Sequence, residues 1–512
     1  MRNLSKSYYT AFCQCPKNLW MSVNKPDEAK EDPSTEARLE KGSAVGELAK
    51  QLFSDTVDVS VKGADDKPDI AAMLAKTQQC LKDGTKVIAE AAFLHNGCYC
   101  AVDLLRREGD GWAIYEVKST TDKDDKGKLK NFDKYLPDIA YQTWVLRQFG
   151  INVTGINLVC LNHDYVRQGN LNPQQLFAII DIREAVEAEL AKVPMQVSDA
   201  LSVLKQEDEP DIDLSENCEK PYHCLFWNYC ARHLPEDSVF KVYGSSTGKG
   251  DLTFHIDKKL AHYRAGRVSY EQLADQPLGI IQRMQVERET HIDHDGIRKF
   301  LDGLSYPLFF LDFETMQDVV PQYDGTHPCQ QIPFQYSLHV VNDPSKICDK
   351  QGYGYLAPSD GGDPRCALAE DLCHHIPKGV CTLAYNMSFE KGRIKELAKT
   401  YPDLADHLMD IHDNIIDLIE PFRAGFFYLP AMGGSFSIKS VLPALFPNDQ
   451  DLDYHNLSGT VHNGSEAMKL FPKIVNMSLN EQTIARESLL QYCNLDTWAM
   501  VKVWEKLKSC VN

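Results

Sequence analysis

The sequence predicts an α/β protein built from more than one domain, and three observations carry that expectation. Its 512 residues exceed the usual size of a single domain. Three short apolar runs, 87–94, 98–105 and 112–118, are separated by His-Asn-Gly and Glu-Gly-Asp-Gly turns and make a strand meander with helical stretches on either side. Far downstream a second apolar strand, 306–315, ends in two carboxylates and is followed by further strands and a long helix. Strands flanked by helices are the pattern of α/β or α+β domains.

Composition narrows the class. A hydrophobic content of 43% with 25% charged residues belongs to a soluble globular chain. No apolar run approaches the ~20 residues that span a bilayer, and residues 1–9 lack the apolar region of a secretory signal, so a cytoplasmic location without membrane contact is expected. Sixteen cysteines in a chain of this length and kind point to metal ligation or buried filler rather than a disulfide framework. The net charge of −19 argues against a nonspecific basic nucleic-acid coat protein. It leaves room for a nuclease, whose metal-binding carboxylates add negative charge.

Taken in order, residues 5–21 read as a helix interrupted at Cys15-Pro16, 37–53 as a second and 71–82 as a third. The meander follows, then a helix over 136–149 and a strand over 155–161. Residues 171–216 are helical and acidic, and Glu207–Asp211 read as a solvated loop. Cys218, Cys224 and Cys230 then recur at equal six-residue steps, which ordinary core packing does not explain. They look like metal ligands lacking a fourth partner, and Cys15, beside Lys17, is the best candidate for it. Such a set would clasp the two ends of one domain, making metal affinity part of its folding stability. Gly244 to Gly250 is turn chemistry and a boundary; its Gly-Lys pair lacks the spacing and preceding strand of a phosphate loop.

Inside the clasp, Glu116-Val117-Lys118 lies on a strand, so Glu116 and Lys118 share a face while Val117 turns to the core, and Asp103 on the neighbouring strand can join them. Two carboxylates suit a hard divalent cation and a lysine can position or activate a water attacking phosphorus. Taken alone, an acidic-apolar-basic triplet is common surface alternation. Here Glu90 and Asp103 interrupt equally apolar neighbours, and buried carboxylates need partners. The order Cys15-Pro16, Glu90, Asp103, Glu116-x-Lys118, Tyr141-Gln142, Cys218, Cys224 and Cys230 resembles the RecB-like PD-(D/E)xK nucleases that carry an iron–sulfur cluster, including the CRISPR-associated members. The resemblance covers about the first 230 residues. It implies Asp103 and Glu116 as metal ligands, Lys118 as the catalytic lysine, Gln142 as a positioning residue, and Cys15, Cys218, Cys224 and Cys230 as ligands of a 4Fe-4S cluster. Many relatives place a histidine on the early helix, where this chain has Gly46-Glu47. Four thiolates also suit zinc, although zinc modules usually pair cysteines at Cys-x-x-Cys spacing, absent here.

The second centre begins with Asp312 and Glu314 on one face of their strand. A strand over 334–341 follows, then one over 380–386 running into a helix that bears Glu390, and a helix over 482–507 places Tyr492 and Asp496 one turn apart. Four acids from separate elements can converge on a pair of divalent ions, with Tyr492 orienting or deprotonating the water. Asp312-x-Glu314, Asn386-x-x-Phe389-Glu390 and Tyr492-x-x-x-Asp496 resemble the DnaQ-like exonucleases of the DEDDy type over roughly residues 304–512. That resemblance implies a ribonuclease H-like fold, metal ligation by Asp312, Glu314, Glu390 and Asp496, and removal of nucleotides from a 3′ end. Glu390 departs from the aspartate of most relatives. Lys439 is a candidate phosphate contact, though a solvated lysine is the plainer reading, and Phe426, Phe427 and Tyr428 read as core.

The expected architecture is therefore multidomain α/β. A restriction-endonuclease-like core with its iron–sulfur staple spans 1–235, a helical connector spans 236–303, and a ribonuclease H-like exonuclease domain spans 304–512. The expected function is hydrolysis of DNA phosphodiesters at two sites with Mg²⁺ or Mn²⁺, in end processing, repair or defence against foreign DNA. The alternatives are a non-catalytic nucleic-acid-binding protein retaining both folds, and an RNA-trimming enzyme using only the C-terminal site.

Overall fold

The computed structural model describes residues 2–30, 35–64, 66–124, 126–244, 255–343, 345 and 349–511. All but the first residue of the stretch Gly244–Gly250 falls outside the described residues. The chain is mixed α/β and divides into two compact units, residues 1–233 with 318–330, and 234–317 with 331–512. Residues 236–303, expected as a separate connector, fall within the second unit.

The first unit is built on a seven-stranded sheet. Its strands are β1 (Leu4–Ser5), β2 (Thr56–Asp58), β3 (Val87–His95), β4 (Cys98–Glu108), β5 (Gly111–Thr121), β6 (Val153–Leu161) and β7 (Phe177–Asp181). Six run in the order β2-β3-β4-β5-β6-β7, and β1 pairs in parallel with β4. The meander β3-β4-β5 is antiparallel, as its short turns require, while β5 and β6 are parallel and joined through the helix Leu136–Phe149. That helix stops at Gly150, whose φ of 95° is open to glycine at little steric cost.

Alternation along the strands sends Ile88, Leu105 and Ile114 to one face, where they pack with Tyr9, Ile139 and Tyr141. Ala89, Leu104, Ala113 and Tyr115 go to the other, with Val45 and Val159. The pairs Ala89↔Leu104, Ala91↔Val102 and Leu104↔Tyr115 set Glu90, Asp103 and Glu116 in line across three adjacent strands, on the first of these faces. The helices Lys6–Gln14 and Leu136–Phe149 cover that face, so their side chains close over the three acids.

In the second unit, β8 (His291–Ile292), β9 (Leu308–Gln317), β10 (Gln331–Val341), β11 (Tyr353–Leu356), β12 (Cys381–Ala384), β13 (Ile415–Asp417) and β14 (Phe427–Tyr428) make two sheets. The larger has the order β11-β10-β9-β12-β13, antiparallel over its first three strands and parallel over its last three. β8 pairs with β14, which ties the 236–303 segment to its own unit and leaves Phe427 and Tyr428 buried, as core. Phe309, Leu311 and Phe313 pack with the helices Arg365–His375, Ser388–Thr400 and Ala405–Asp413. The alternate residues Phe310, Asp312 and Glu314 face the 31-residue helix Leu479–Ser509, where Phe310 meets Trp504 edge to face. A capping box starts that helix: Glu481 N–H reaches the Ser478 hydroxyl while Ser478 N–H reaches Glu481. Strand alternation on β9 and helical spacing on this helix thus aim Asp312 and Glu314 at Tyr492 and Asp496. Among the described residues no helix is long and apolar enough to cross a membrane.

Candidate active site

In the second unit the structure brings Asp312, Glu314 and Asp496 together, with one carboxylate oxygen of each within 4.8 Å of the others. Burial raises all three. Asp312 and Glu314 are pushed well above the carboxylate range, first by burial and then by Asp496 and each other's neighbourhood of acids. Asp496 is raised to about 6 by burial, restrained by hydrogen bonds from Tyr454 and Tyr492 and by the charge of Lys439. Glu390 stands in the first turn of the helix Ser388–Thr400, outside the trio, yet its charge still raises both Asp312 and Glu314. It is 3% exposed, raised to about 8 by burial with help from Asp417, and its Oε2 has no hydrogen-bond partner among the described residues. A buried, unpartnered carboxylate oxygen costs free energy unless something fills its place.

Tyr492 is buried beside this group, and burial together with Asp496 and Glu314 drives its hydroxyl far above the ordinary phenol value. It keeps its proton at neutral pH. A protonated phenol can orient a water by hydrogen bonding. Tyr454 is a residue the sequence did not single out. Its hydroxyl donates to Asp496 Oδ1 at 2.6 Å, and its ring lies 5.8 Å from that of Tyr492. Tyr454 comes from a short 3₁₀ turn with no periodic pattern, so no sequence signal points to it. The Lys439 ammonium lies 5.3 Å from the Tyr454 ring centre and 5.5 Å from that of Tyr492. This exposed lysine therefore faces the acids instead of open solvent alone. A cleft of about 810 Å³, lined in part by Lys439, Leu442, Phe446, Tyr454 and His462, opens at this position.

Asp417, on β13, is a second residue the sequence did not single out. It accepts from Asn386 N–H at 2.8 Å and holds the turn that leads into the Glu390 helix. Asn386 takes a φ of 69°, a left-handed conformation that asparagine tolerates better than most side chains. The asparagine of the Asn386-x-x-Phe389-Glu390 motif thus has a backbone task.

In the first unit Glu116 is 1% exposed and fully engaged. Its Oε1 accepts from Lys118 at 2.7 Å and from Lys6 at 3.0 Å, and its Oε2 accepts from Gln142 at 2.8 Å. Burial pushes its carboxyl up, but Lys118, Lys6 and these hydrogen bonds outweigh that and hold it well below the usual range. Asp103 goes the other way, raised to about 7 by burial and by Glu116, although Val117 N–H donates to it at 2.7 Å. Lys118 also bonds Asp138 at 2.8 Å; despite burial, Glu116 and Asp138 hold it charged far into the alkaline range. It donates hydrogen bonds to both carboxylates. Glu90 has a φ of 58° and a carboxyl raised by burial, with Lys50 and Lys6 opposing. Glu47 pairs with Lys50 at 2.6 Å on an exposed surface and does not join the acids.

Lys6 and Asp138 escaped the sequence reading. Asp138 and Gln142 lie four residues apart on one helix, and Gln142 Nε2 donates to Asp138 at 3.0 Å, so their spacing was a usable signal. Lys6 reaches Glu116 across 110 residues of chain, and no local pattern announces that. Gln142 Oε1 is a further buried oxygen without a partner among the described residues.

Cys15, Cys218, Cys224 and Cys230 carry free thiols. Burial raises the last three, and each feels the charge of Cys15; Cys224 and Cys230 also feel Cys218, while Lys17 lowers Cys230. All four are thus neighbours, although among the described residues the acid trio is the group whose ligand atoms all lie within 4.8 Å. Gln14, beside Cys15, donates to the carbonyls of Asn217 and Tyr222 at 2.9 and 2.7 Å, and Trp20, Met21, Cys224 and Phe226 share a small core. Protein contacts thus fasten the start of the unit to the cysteine loop.

The buried acids fix a pH dependence. Asp496 and Asp103 take up protons at higher pH when folded than when unfolded, so their contribution is complete below the ordinary carboxylate range and is lost as pH rises through about 6 and about 7. Glu116 stays ionised throughout and adds no slope between pH 5 and 7.5. Differential scanning calorimetry in chelator should show melting fall by several degrees across that window, at ~2–4 °C per kcal/mol. Added Mn²⁺ should raise it more at pH 7.5 than at pH 5.

The profile of a domain-of-unknown-function family, DUF2779, matches residues 309–437. That span includes Asp312, Glu314 and Glu390 and ends before Tyr454, Tyr492 and Asp496. No curated protein matches the chain.

Proposed function

We propose that the chain is a metal-dependent nuclease with two sites, a RecB-like centre in the first unit and a 3′-5′ exonuclease centre of DnaQ-like, ribonuclease H-like type in the second, acting on DNA ahead of RNA. The observation that carries this reading is the convergence of Asp312, Glu314 and Asp496, from a strand and a helix, with Glu390 leaving a buried oxygen unpartnered beside them. Carboxylate oxygens so crowded and so raised in pKa fit a hard divalent cation, which would relieve their repulsion. Bound Mg²⁺ or Mn²⁺ would supply positive charge to the phosphate oxygens and a more acidic water.

The chain's own residues divide the remaining work. Asp312, Glu314, Glu390 and Asp496 would hold the cations, with Tyr454 restraining Asp496 through its hydroxyl. Tyr492, protonated, would orient the attacking water by hydrogen bonding. Lys439 would bring positive charge to the entering phosphate, and the adjoining cleft gives the nucleotide a place to lie.

In the first unit Asp103 and Glu116 would be the cation ligands, Lys118 would donate to the phosphate or the water, and Gln142 holds Glu116 in place. The four cysteines fit a cluster of thiolate-bound iron. Four thiolates also suit zinc, but Cys218, Cys224 and Cys230 lack the Cys-x-x-Cys pairing usual in zinc modules.

The test is digestion of 3′- and 5′-labelled single- and double-stranded DNA and RNA by the purified protein in Mn²⁺ or in EDTA. Metal-dependent loss of a 3′ label from DNA is the expected result. Loss from RNA alone would move the reading to an RNA-trimming enzyme, and binding without cleavage of any substrate would sink it.

A further inference from the structure

We propose that Lys6 is the residue of the first unit's site that grips the scissile phosphodiester, an inference resting on the reading of that site as a nuclease centre. Two lysines enter the site, and their surroundings differ. Lys118 is pinned between Glu116 at 2.7 Å and Asp138 at 2.8 Å. Lys6 makes one contact of that kind, with Glu116 at 3.0 Å, and lies 3.8 Å from Asp138. Its side chain is 28% exposed where that of Lys118 is 19% exposed. An ammonium has three donors, and this one has donors left for an incoming anion.

Charge gives it a task. Asp103, Glu116 and Asp138 face two ammonium groups, Lys6 and Lys118. With every acid ionised, a single divalent cation leaves that cluster with one positive charge, which a phosphodiester neutralises. Without Lys6 the loaded site would be neutral before the substrate arrived and negative after. Lys6, held at bonding distance by one acid where Lys118 is held by two, is the group placed to shift from Glu116 to the phosphate when a cation takes over the carboxylate.

The full chain carrying Asp312→Asn isolates this site, and Mn²⁺-dependent cleavage of a labelled single-stranded DNA is measured at several salt concentrations. Lys6→Met is expected to raise the half-saturating DNA concentration about tenfold and to flatten the slope of log affinity against log salt by about 0.7, the value for one single-strand phosphate contact. Lys6→Gln, which retains a hydrogen bond to Glu116 without the charge, should show the same flattening, and Lys6→Arg should keep the wild-type slope. Mn²⁺ binding without DNA, read from the paramagnetic resonance of the free ion, should be unchanged or tighter in Lys6→Met.

Glu116-dependent cleavage whose salt slope is unaltered by Lys6→Gln would overturn the assignment alone. So would a loss of Mn²⁺ affinity matching the loss of DNA affinity, since Lys6 would then serve only to hold Glu116. Absence of any Glu116-dependent cleavage in the Asp312→Asn protein would overturn the nuclease reading of the first unit, and Lys6 with it.

Discussion

Asp312→Asn is expected to slow Mn²⁺-dependent release of a 3′ label by ~10³-fold or more, about 4 kcal/mol of transition-state stabilisation. The amide keeps the size of the side chain but removes one negative ligand from a trio whose oxygens lie within 4.8 Å of each other. In the same protein the cleavage that depends on Glu116 should persist. Glu116→Gln should give the mirror image, sparing 3′-label release while abolishing the other activity, because it breaks a carboxylate held by Lys6, Lys118 and Gln142 at once. The double variant should cleave nothing. Cleavage surviving in it would remove both centres from the account. Thermal melting guards the interpretation: relieving repulsion among the Asp312 group should leave metal-free Asp312→Asn as stable as the parent or more so, whereas Glu116→Gln leaves the Lys6 and Lys118 ammonium groups short of an anion and should melt earlier.

The second large effect concerns the cysteines. Cys218→Ser is expected to bleach the broad visible absorption of a brown protein and to unfold the first unit at temperatures where the second still stands. Metal binding that joins the ends of a fold is folding free energy, of order 10 kcal/mol or more for structural metal sites. Loss of Glu116-dependent cleavage with retained 3′-label release is the functional signature. A colourless protein with stoichiometric zinc would keep the clasp and change its metal. First-unit stability unaltered by serine at all four positions would dismiss the clasp, leaving Gln14 and the Trp20–Phe226 packing to fasten the ends.

Local pattern was enough for the scaffold. Apolar runs of period two located three neighbouring strands and brought Asp103 to Glu116 on the next one; Glu90 stands where the alternation of β3 breaks, at a φ of 58° with Ile88 and Ala91 on one face. Spacing on one element likewise identified Asp312 with Glu314 and Tyr492 with Asp496, since partners two apart on a strand or four apart on a helix must share a face. Domain limits were less legible. Residues 318–330 interrupt the second unit in sequence but belong to the first, where Arg167 holds the Pro321 and Thr326 carbonyls at 2.9 Å. Composition carries no record of such an exchange.

By itself, then, the sequence determined the meander, the strand bearing Asp312 and Glu314 and the last helix, because backbone geometry repeats with fixed periods; it did not show the strand Phe177–Asp181, which lies in the stretch 171–216 read as helical and pairs with β6. Only the tertiary structure decided what those acids meet. Lys6 arrives at Glu116 from the first helix, Tyr454 reaches Asp496 from an irregular turn, and Glu390 is left with an oxygen unpartnered beside the trio. Contacts between residues 42 and 110 positions apart depend on how whole elements pack. Burial then sets the charge each group can bear, raising Asp103 to about 7 while Glu116, on the next strand, stays ionised.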